Sequence, residues 1–532
     1  MKLFKKALLF LAIISVAGCA GHVADTKEKA PFRGFMIDAP RTVESPDYYF
    51  KLIDFCQQQG LNSIVFRLTD DHGSAYLFKS HPELKMTDGA FSMEELKQLV
   101  AYSDSKGVEL IPEVESFGHA SYILETERYK SLSDGGDGGN KEFNAVCPVS
   151  DTTLSLMKDL YTEISSIFTS SYFHIGCDEI NWGGSELSKA ALKTTSKHQI
   201  WANYINTLNG YVKDLGKKTI IWGDVPIYHE REVLDLIQRD VVIMDWNYWE
   251  ANKATVQGIA DTLISKGFQV IGSPAVYWCR WGPRIGALQM ENISAYAAVY
   301  GKPTDPNNLG IIMTNWVPQR VLQGAQWDTY TIAAEMIKHQ GDLNYMDPLP
   351  AFVKNHFDAE WDSTWAEIYR VAYEQAPQSF CSVNAESKFL VWSAKEDIQR
   401  IVKNNSPVIN PFGEIKNKMI QYKDRVKKNQ SDYDDFILAI DYLDYVYNRQ
   451  NGLLTFAKAK EFDLKTTQAY LQGVAQTDRA FLSKLETAWA KGRRSGVSHI
   501  EDDKDFMMSI FEASKYSNKL SSSPAELIQL LK

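Results

Sequence analysis

Two adjacent carboxylates, Asp178 and Glu179, follow a short β-type run in the segment HIGCDE, residues 174–179. Neighbouring side chains on a regular strand point to opposite faces, so both acids can reach one site only where the strand ends. Paired carboxylates suit general acid catalysis, in which one protonates a leaving oxygen and the other stabilises developing positive charge. Both acids are therefore candidate catalytic residues, provided that the fold places a strand end at a pocket.

Eight β-type runs along the chain are able to position such residues. They are RGFMIDA (33–39), SIVFRL (63–68), VELIPEV (108–114), YFHIG (172–176), TIIW (219–222), VVIMDW (241–246), FQVIG (268–272) and GIIMT (310–314). Amphipathic segments such as residues 45–60 and 92–107 lie between them, and several start at Ser or Pro and stop at Gly. Eight β-then-α units predict an α/β fold, a (β/α)8 TIM barrel over residues 32–340.

The remainder of the chain, residues 341–532, has a different pattern. The β-type runs stop, and helix-type segments rich in Lys, Glu, Tyr and Leu take over, for example residues 434–454. We predict a C-terminal all-helical domain packed on the barrel, serving either as structural support or as a wall of the active site.

The N-terminal residues 1–19 combine three lysines with an apolar run and end in VAGC at Cys19. This pattern predicts a lipoprotein signal peptide with a lipobox, lipidation of Cys19, and a tether over residues 20–31. An ordinary secretory peptide that happens to carry a Cys is the alternative. We expect a protein of the bacterial cell envelope, held by its lipid at the outer membrane or on the periplasmic side.

The net charge and the cysteine spacing limit which classes of partner and bound group the protein can have. The formal net charge of -10 argues against a nucleic-acid partner, because phosphate binding needs a basic surface. Five further cysteines show no CxxC or CxxH spacing: Cys56, Cys147, Cys177, Cys279 and Cys381. We therefore predict no disulfide framework, no metal site and no cofactor.

Active sites of such barrels lie at the C-terminal ends of the strands. In this chain those positions are rich in acidic, basic and aromatic residues: Arg41, Asp70, Asp71, Glu115, His119, Asp178, Glu179, Trp222, Asp224, Trp246, Tyr277, Trp278 and Trp316. Core packing or a solvated loop charge explains any one of them, but not their recurrence at the same end of every strand. Indole rings stack on sugar faces while acids and Arg bind hydroxyls, so the pattern predicts a carbohydrate site.

Adjacent acids are unusual for a conventional glycosidase, which separates its two carboxylates by about 5 to 9.5 Å. They suit a mechanism in which the substrate's own 2-acetamido oxygen attacks the anomeric carbon. One carboxylate then orients the acetamido group and stabilises the oxazolinium, while the other protonates the departing oxygen. A conventional double displacement that uses Glu115 with Glu179 is the alternative.

Ordered motifs run along the barrel: RGFMIDAPR, LTDDHG, PEVESFGH, HIGCDE, the IIW and MDW strand ends, GSPAVY and GIIMTNW. Their order and spacing resemble those of the family 20 glycoside hydrolases, the β-N-acetylhexosaminidases. The short HIGCDE form, the FGH variant, a barrel without a preceding accessory domain and the helical C-terminal part are most similar to the hexosaminidase D branch. That branch includes enzymes acting on galactosaminides.

The resemblance implies catalytic roles for the matching residues. Glu179 would be the general acid/base, and Asp178 would orient the acetamido group. Asp70 and His119 would form the buried pair that polarises Glu179, with Asp71 as the fallback for Asp70. Desolvation and the charge of Asp178 would both raise the pKa of Glu179.

It also implies substrate-binding roles. Tyr277 would donate a hydrogen bond to the acetamido carbonyl, and Arg41 would hold ring hydroxyls at the far end of the pocket. The aromatic lining would come from Trp222, Trp246 and Trp316.

Two positions depart from the family pattern. Cys279 and Pro318 stand where many members carry side chains that bind the distal hydroxyls, including O4. Their loss implies tolerance of, or preference for, the C4 epimer N-acetylgalactosamine. Cys177 replaces the usual Gly of its motif, and we expect it to be a small buried residue rather than a nucleophile.

These observations predict an exo-acting, retaining β-N-acetylhexosaminidase that removes terminal β-linked GlcNAc or GalNAc from a glycan or glycoconjugate. A non-catalytic, surface glycan-binding lipoprotein is the alternative from another class, motivated by the departures at Cys279 and Pro318. The retained set for proton transfer argues against it.

Overall fold

The computed structural model describes residues 30–135, 145–278, 287–375, 391–404, 406–407, 409–459, 462–495 and 506–532. The predicted lipobox with Cys19, and also Cys279, lie outside these residues. From Pro31 to Lys532 the chain forms one compact unit. Among the described helices, none combines the length and apolarity needed to cross a membrane.

The described residues contain twelve strands, of which eight build the central sheet. In chain order they are β1 Phe32–Asp38, β2 Ser63–Arg67, β3 Thr69–Asp70, β4 Gly73–Tyr76, β5 Met86–Phe91, β6 Glu109–Glu113, β7 Tyr172–His174, β8 Lys218–Trp222, β9 Val242–Asp245, β10 Gln269–Gly272, β11 Ala275–Tyr277 and β12 Asn308–Asn315. The order around the sheet is β1-β2-β6-β7-β8-β9-β10-β12, and the additional pairing of β1 with β12 closes it.

Every pairing in this closed sheet is parallel. Such strands are buried on both faces, which explains why their sequences are nearly continuous apolar runs rather than alternating ones. The eight strands coincide with the eight runs predicted from the sequence, and the predicted (β/α)8 barrel is confirmed. β11 continues the sheet beyond β10 and pairs with the end of β12.

Helices surround the barrel and continue beyond it. They are α1 Pro46–Gln59, α2 Met93–Lys106, α3 Ser121–Leu124, α4 Asp151–Ser165, α5 Glu186–Ala191, α6 Lys197–Asp214, α7 Lys253–Ser265, α8 Ala287–Tyr300, α9 Trp327–Lys338, α10 Leu349–Phe357, α11 Ser363–Glu374, α12 Lys395–Asn404, α13 Phe412–Tyr422, α14 Gln430–Lys458 and α15 Leu464–Gly492, followed by helices over Phe506–Ser522 and Pro524–Leu531. The described residues after 340 hold no strand, so the predicted helical character of the C-terminal part is confirmed.

Local sequence signals set the ends of the barrel helices. Ser92 and Glu95 form a capping box at the start of α2, which satisfies backbone N–H groups that the first turn leaves unpaired. α1 and α2 end at Gly60 and Gly107, which adopt the left-handed conformation that suits glycine. These caps stop each helix where the chain must turn back into the next strand.

One insertion was not predicted. β3, β4 and β5 form a separate three-stranded sheet in the connection between β2 and α2. It lies directly after Arg67, so it shapes the loop that carries Asp70 and Asp71.

Candidate active site

The turn after β7 explains how two adjacent acids serve one site. The strand ends at His174, and Gly176, Cys177 and Glu179 then adopt φ angles of 68°, 77° and 48°. This left-handed backbone breaks the strand alternation. A Cβ on Gly176 would lie 2.0 Å from Glu115 Oε2, so only glycine fits there.

The two acids of this turn approach the same histidine. His119 Nε2 lies 3.3 Å from Glu179 Oε2 and 3.8 Å from Asp178 Oδ2. Their exposure differs, since the Asp178 side chain is 5% exposed and that of Glu179 is 41% exposed. Glu179 is therefore the more accessible of the two acids, while Asp178 is buried.

The other ring nitrogen of His119 identifies its carboxylate partner. His119 Nδ1 lies 2.8 Å from Asp71 Oδ2 and 3.8 Å from Asp70 Oδ2. The expected pairing of Asp70 with His119 was therefore wrong, and the fallback Asp71 holds the ring. Asp71 Oδ1 also accepts hydrogen bonds from the backbone and hydroxyl of Ser121, which fixes its orientation.

Asp70 does not pair with His119, because its carboxylate binds two guanidinium groups. Its carboxylate accepts from Arg67 Nη2 at 2.7 Å and from Arg41 Nη2 at 3.2 Å. Charge-assisted bonds of this kind outweigh a contact at 3.8 Å with an imidazole. Asp70 thus anchors Arg41 rather than the proton-transfer histidine.

The ionisation of the cluster differs from expectation. Burial would raise the pKa of Glu179, but the hydrogen bond and charge of His119 outweigh it, and the pKa lies below its ordinary value. The predicted upward shift was therefore wrong. Burial would lower the pKa of His119, but the charge of Asp178 and bonds to Asp71 and Glu179 hold it well above its ordinary value. The shared proton therefore resides on His119, one contact away from Glu179.

A buried arginine organises the floor of the site. Arg67, the last residue of β2, is fully buried and donates to Glu113 at 2.8 Å, Glu115 at 2.7 Å and Asp70 at 2.7 Å. Sequence reasoning missed Arg67 and Glu113. The available signal was an ionisable residue at the end of an otherwise apolar strand, since such a residue is almost never fully buried without partners.

Glu115 belongs to this floor and not to the pocket. It is fully buried, pairs with Arg67 and accepts the Cys177 backbone N–H at 3.0 Å. A nucleophile must reach the anomeric carbon of a substrate, and a carboxylate that braces the turn cannot. The conventional mechanism with Glu115 and Glu179 therefore finds no support.

Three tryptophans predicted for the pocket come together through short contacts. The rings of Trp222 and Trp316 are 5.2 Å apart, and Trp222 Nε1 donates to Glu113 at 2.8 Å. Trp316 Nε1 donates to the Tyr248 hydroxyl at 2.6 Å, and Tyr248 stacks on Trp246 at 5.1 Å. Tyr248, which sequence reasoning missed, thus links two walls of the site.

Arg41 and Tyr277 also lie against Trp316. Arg41 Nη1 donates to the Trp316 carbonyl at 2.9 Å, and the Trp316 backbone N–H donates to the Tyr277 carbonyl at 3.0 Å. Tyr277 is buried at the end of β11. Arg41, Trp246, Tyr277 and Trp316 thus lie at the strand ends, whereas Trp222, predicted to line the pocket, is fully buried and contacts Trp316 and Glu113 instead.

Asp224, after β8, supports the turn from the other side. Its Oδ2 accepts the Glu179 backbone N–H at 2.9 Å. Burial and the charge of Asp178 raise the pKa of Asp224 to about 8, so it is largely protonated at neutral pH. A neutral carboxyl can hold the turn without adding a further negative charge beside Asp178.

The residues of this cluster also bear on metal binding and thiol chemistry. His119, Asp178 and Glu179 each offer one ligand atom within 4.8 Å of the others, a spacing that could hold a cation. The same three residues share a proton, which explains their proximity equally well. Burial and the charge of Glu115 raise the pKa of Cys177 well above its ordinary value, so a nucleophilic thiolate is disfavoured.

At Pro318 the structure shows a buried residue that starts a short 3-10 helix, Pro318–Arg320. No side-chain carboxylate is present at this position to bind a distal hydroxyl. The second departure, Cys279, lies outside the described residues.

Comparison with known proteins identifies relatives of the barrel. The family model "Glycosyl hydrolase family 20, catalytic domain" matches residues 31–296, half of the chain. A lacto-N-biosidase from Bifidobacterium bifidum is 28% identical over 49% of this chain and 23% of its own length. Beta-hexosaminidase 1 from Coccidioides posadasii is 24% identical over 49% of this chain and 47% of its own length. The matches thus span half or less of these relatives.

Solved structures give the same fold. An exo β-N-acetylglucosaminidase from Vibrio harveyi, in complex with N-acetylglucosamine, matches with a TM-score of 0.50 at 19% identity, over 61% of this chain and 57% of that chain. A further β-N-acetylhexosaminidase structure matches with a TM-score of 0.50 at 18% identity, over 63% and 79% of the two chains. At these identities the likeness concerns the fold alone.

Proposed function

The chain belongs to glycosyl hydrolase family 20, and on that premise we propose that it is an exo-acting, retaining β-N-acetylhexosaminidase. It would remove terminal β-linked GlcNAc or GalNAc by substrate-assisted catalysis. The single observation that carries this proposal is the triad formed by His119 with Glu179 at 3.3 Å and Asp178 at 3.8 Å, beside a wall of indole rings.

In the first step the 2-acetamido oxygen attacks the anomeric carbon while Glu179 protonates the departing oxygen. The proton is supplied across the 3.3 Å contact from His119, whose imidazolium is stabilised by Asp71 at 2.8 Å. Glu179 is thus protonated only during the step in which it protonates the leaving oxygen. A positioned acid of this type contributes about 10² to 10⁴ in rate.

Asp178 stabilises the cyclic intermediate. Its Oδ1 is buried and, among the described residues, has no hydrogen-bond partner. Buried acceptors normally have one, and the amide N–H of a 2-acetamido group supplies it. The negative charge of Asp178 then faces the positive oxazolinium as it develops.

In the second step a water attacks the anomeric carbon from the face that the leaving group vacated. Glu179, now ionised, takes the proton of that water and can return it to His119. Two inversions at the same carbon give net retention of configuration.

The binding residues define a terminal sugar site. Trp246, which is only partly buried, and Trp316 would offer apolar faces to the ring, while the fully buried Trp222 supports Trp316, and Tyr277 lies beside the backbone of Trp316. Arg41, held by Asp70 and by the Trp316 carbonyl, is placed to bind ring hydroxyls. With no carboxylate at Pro318 to select the O4 configuration, we propose that the galactosaminide is accepted or preferred.

The substrate class is a glycan or glycoconjugate with a terminal β-linked N-acetylhexosamine. We further propose that the protein works in the bacterial cell envelope, anchored through a lipid on Cys19. The support is the sequence pattern of residues 1–19 alone. Globomycin sensitivity of processing and [³H]palmitate labelling, both abolished by Cys19→Ala, would test the anchor.

The first test of activity uses protein lacking residues 1–19 with matched aryl β-N-acetylglucosaminide and β-N-acetylgalactosaminide. We expect turnover that falls about 10² to 10⁴-fold in Glu179→Gln and about 10²-fold in Asp178→Asn. Inertness towards the matching aryl β-glucoside, which lacks the acetamido group, would separate this mechanism from a double displacement. A strong preference for the glucosaminide would overturn the proposed tolerance at O4.

Absence of turnover from folded protein on both substrates, and on longer glycans, would favour the non-catalytic glycan-binding alternative. The arrangement of His119, Asp71 and Glu179 weighs against that outcome, since a binding module has no use for a proton relay.

A further inference from the structure

The end of α15 returns to the mouth of the barrel. We define residues 492–495, the last residue of this helix and the three that follow it, as the C-terminal strap. Glu44 and Arg493 form an antiparallel bridge, the Ser45 N–H donates to the Gly492 carbonyl at 2.7 Å, and the Arg494 N–H donates to the Val43 carbonyl at 2.8 Å. The strap therefore pairs with the loop that follows β1, two residues beyond Arg41.

Arg493 joins this loop to a second one. Its Nε donates to Glu44 Oε2 at 2.9 Å, and its Nη2 donates to the carbonyls of Pro318 at 2.7 Å and Val321 at 2.6 Å. The second loop follows β12 and begins with Trp316. One planar guanidinium thus ties the loop of Arg41 to the loop of Trp316.

Burial makes this tie strong. The side chains of Arg493 and Glu44 are 2% and 1% exposed, and the guanidinium also lies 3.7 Å from the ring centroid of Trp489. Removing one partner of a buried ion pair leaves an uncompensated charge, which is strongly destabilising locally. Gln323 completes the junction by donating to both Glu44 and the Gly492 carbonyl.

The two loops carry groups that touch each other in the pocket, since Arg41 donates to the Trp316 carbonyl at 2.9 Å. From this geometry we infer that Arg493 is a positioning residue for the sugar site, through which the C-terminal helical region fixes the relative placement of Arg41 and Trp316. The inference rests on the proposed function for its kinetic consequence. It assigns the helical region a part in substrate binding.

The test compares Arg493→Ala and Arg493→Lys with Arg494→Ala in the protein that lacks residues 1–19. Arg494 is the matched control because it lies on the same strap, but its side chain pairs with Glu95 at 2.9 Å and contacts Phe91 instead of the two loops. Lysine keeps the charge of Arg493 but cannot form the fork that spans three acceptors. The Arg493→Lys variant also allows the test to be made if Arg493→Ala folds poorly.

We expect Arg493→Ala to raise KM about tenfold with a smaller change in kcat, because ground-state placement of the sugar is lost. Arg493→Lys should fall between it and wild type. Hydrogen exchange should quicken in residues 40–45 and 316–322 in both Arg493 variants and stay at wild-type rates there in Arg494→Ala.

The inference is overturned if both arginine sites lower Tm alike without moving KM, or if exchange in the two loops does not change. Wild-type protein without any turnover would defeat the proposed function instead. In that case the exchange rates of the two loops still decide whether Arg493 holds them.

Discussion

At the scale of single residues, the proposed mechanism draws the proton of Glu179 from His119. The pKa of His119 lies well above its ordinary value. The pH at which kcat/KM declines on the basic side (the basic limb) should therefore lie above 6.5, the unperturbed pKa of His. Asp71→Asn removes the carboxylate 2.8 Å from Nδ1 and lowers the pKa of His119. We expect the basic limb to move to lower pH, measured on an aryl glycoside with a poor leaving group.

Asp70→Asn provides the contrast, because Asp70 lies 3.8 Å from the ring and pairs with Arg41 and Arg67. It should raise KM with little movement of the basic limb. Equal shifts of the limb in both variants would contradict the assignment of Asp71 as the partner of His119.

Cys177 is a second residue whose role can be tested directly. Its φ of 77° costs a non-glycine residue about 1 to 2 kcal/mol. Substitution by glycine removes this strain, but it also removes a buried thiol whose burial contributes a roughly similar free energy. Cys177→Gly should therefore keep Tm near wild type and keep kcat within about threefold, as thermal unfolding and initial rates would show. Loss of activity in a folded variant would point to thiol chemistry.

At the scale of elements, the strands were predictable and the turns were not. Buried parallel strands leave continuous apolar runs in the sequence, which is why all eight were found at nearly their observed bounds. The pairing of His119 with Asp71 rather than Asp70 depends on side-chain directions after β2, where the small sheet β3–β5 intervenes. The ionisation of Glu179 was mispredicted because the nearby charge of His119 depends on the same pairing.

The loops after β9 and β11 carry an aromatic extension of the pocket. Trp249 is 57% exposed and packs edge-on against Trp278 at 4.5 Å, and both rings contact Tyr248. An exposed indole beside a sugar site suits stacking on the next sugar of a glycan, worth about 0.5 to 1.5 kcal/mol. Trp249→Ala should therefore raise KM about 2 to 10-fold for a disaccharide substrate and leave a methyl glycoside unchanged.

Leu464→Ala is the control for that variant, because Leu464 is equally exposed but lies on α15. Steady-state kinetics on the two substrates decide the outcome. Equal KM values for wild type and Trp249→Ala on the disaccharide would refute an aromatic platform for the second sugar.

At the scale of the whole molecule, buried carboxyl groups at the barrel mouth stay protonated to higher pH in the folded protein than in the unfolded protein. Burial is the largest cause that raises the pKa of several carboxyls in or near the barrel mouth, among them Asp38 and Asp245 to about 6, Glu113 to about 7 and Asp224 to about 8. Folded protein binds more protons than unfolded protein wherever the folded pKa is higher, so stability falls as pH rises through these values. His174, whose pKa burial lowers, opposes this trend below about pH 6.5.

We therefore expect the free energy of unfolding to fall by about 1.4 kcal/mol per pH unit for each extra proton that the folded protein binds, between about pH 6.5 and 8.5 at constant ionic strength. Tm should fall over the same interval. Asp224→Asn should flatten the upper part of this decline, since Asp224 titrates near pH 8 and an amide oxygen can still accept the Glu179 N–H. Scanning calorimetry across this range measures it. A rise in Tm over the same interval would contradict the sign.

The bond between Glu44 and Arg493 joins residues 449 positions apart. A ribosome or an export channel delivers the chain from its N-terminus, so the first βα loop waits for its partner until nearly all of the protein has been made and moved. The contact between the first βα loop and Arg493 thus forms late. A nascent or proteolytically shortened chain therefore contains Asp178 and Glu179 but lacks the guanidinium that ties the loop of Arg41 to the loop of Trp316.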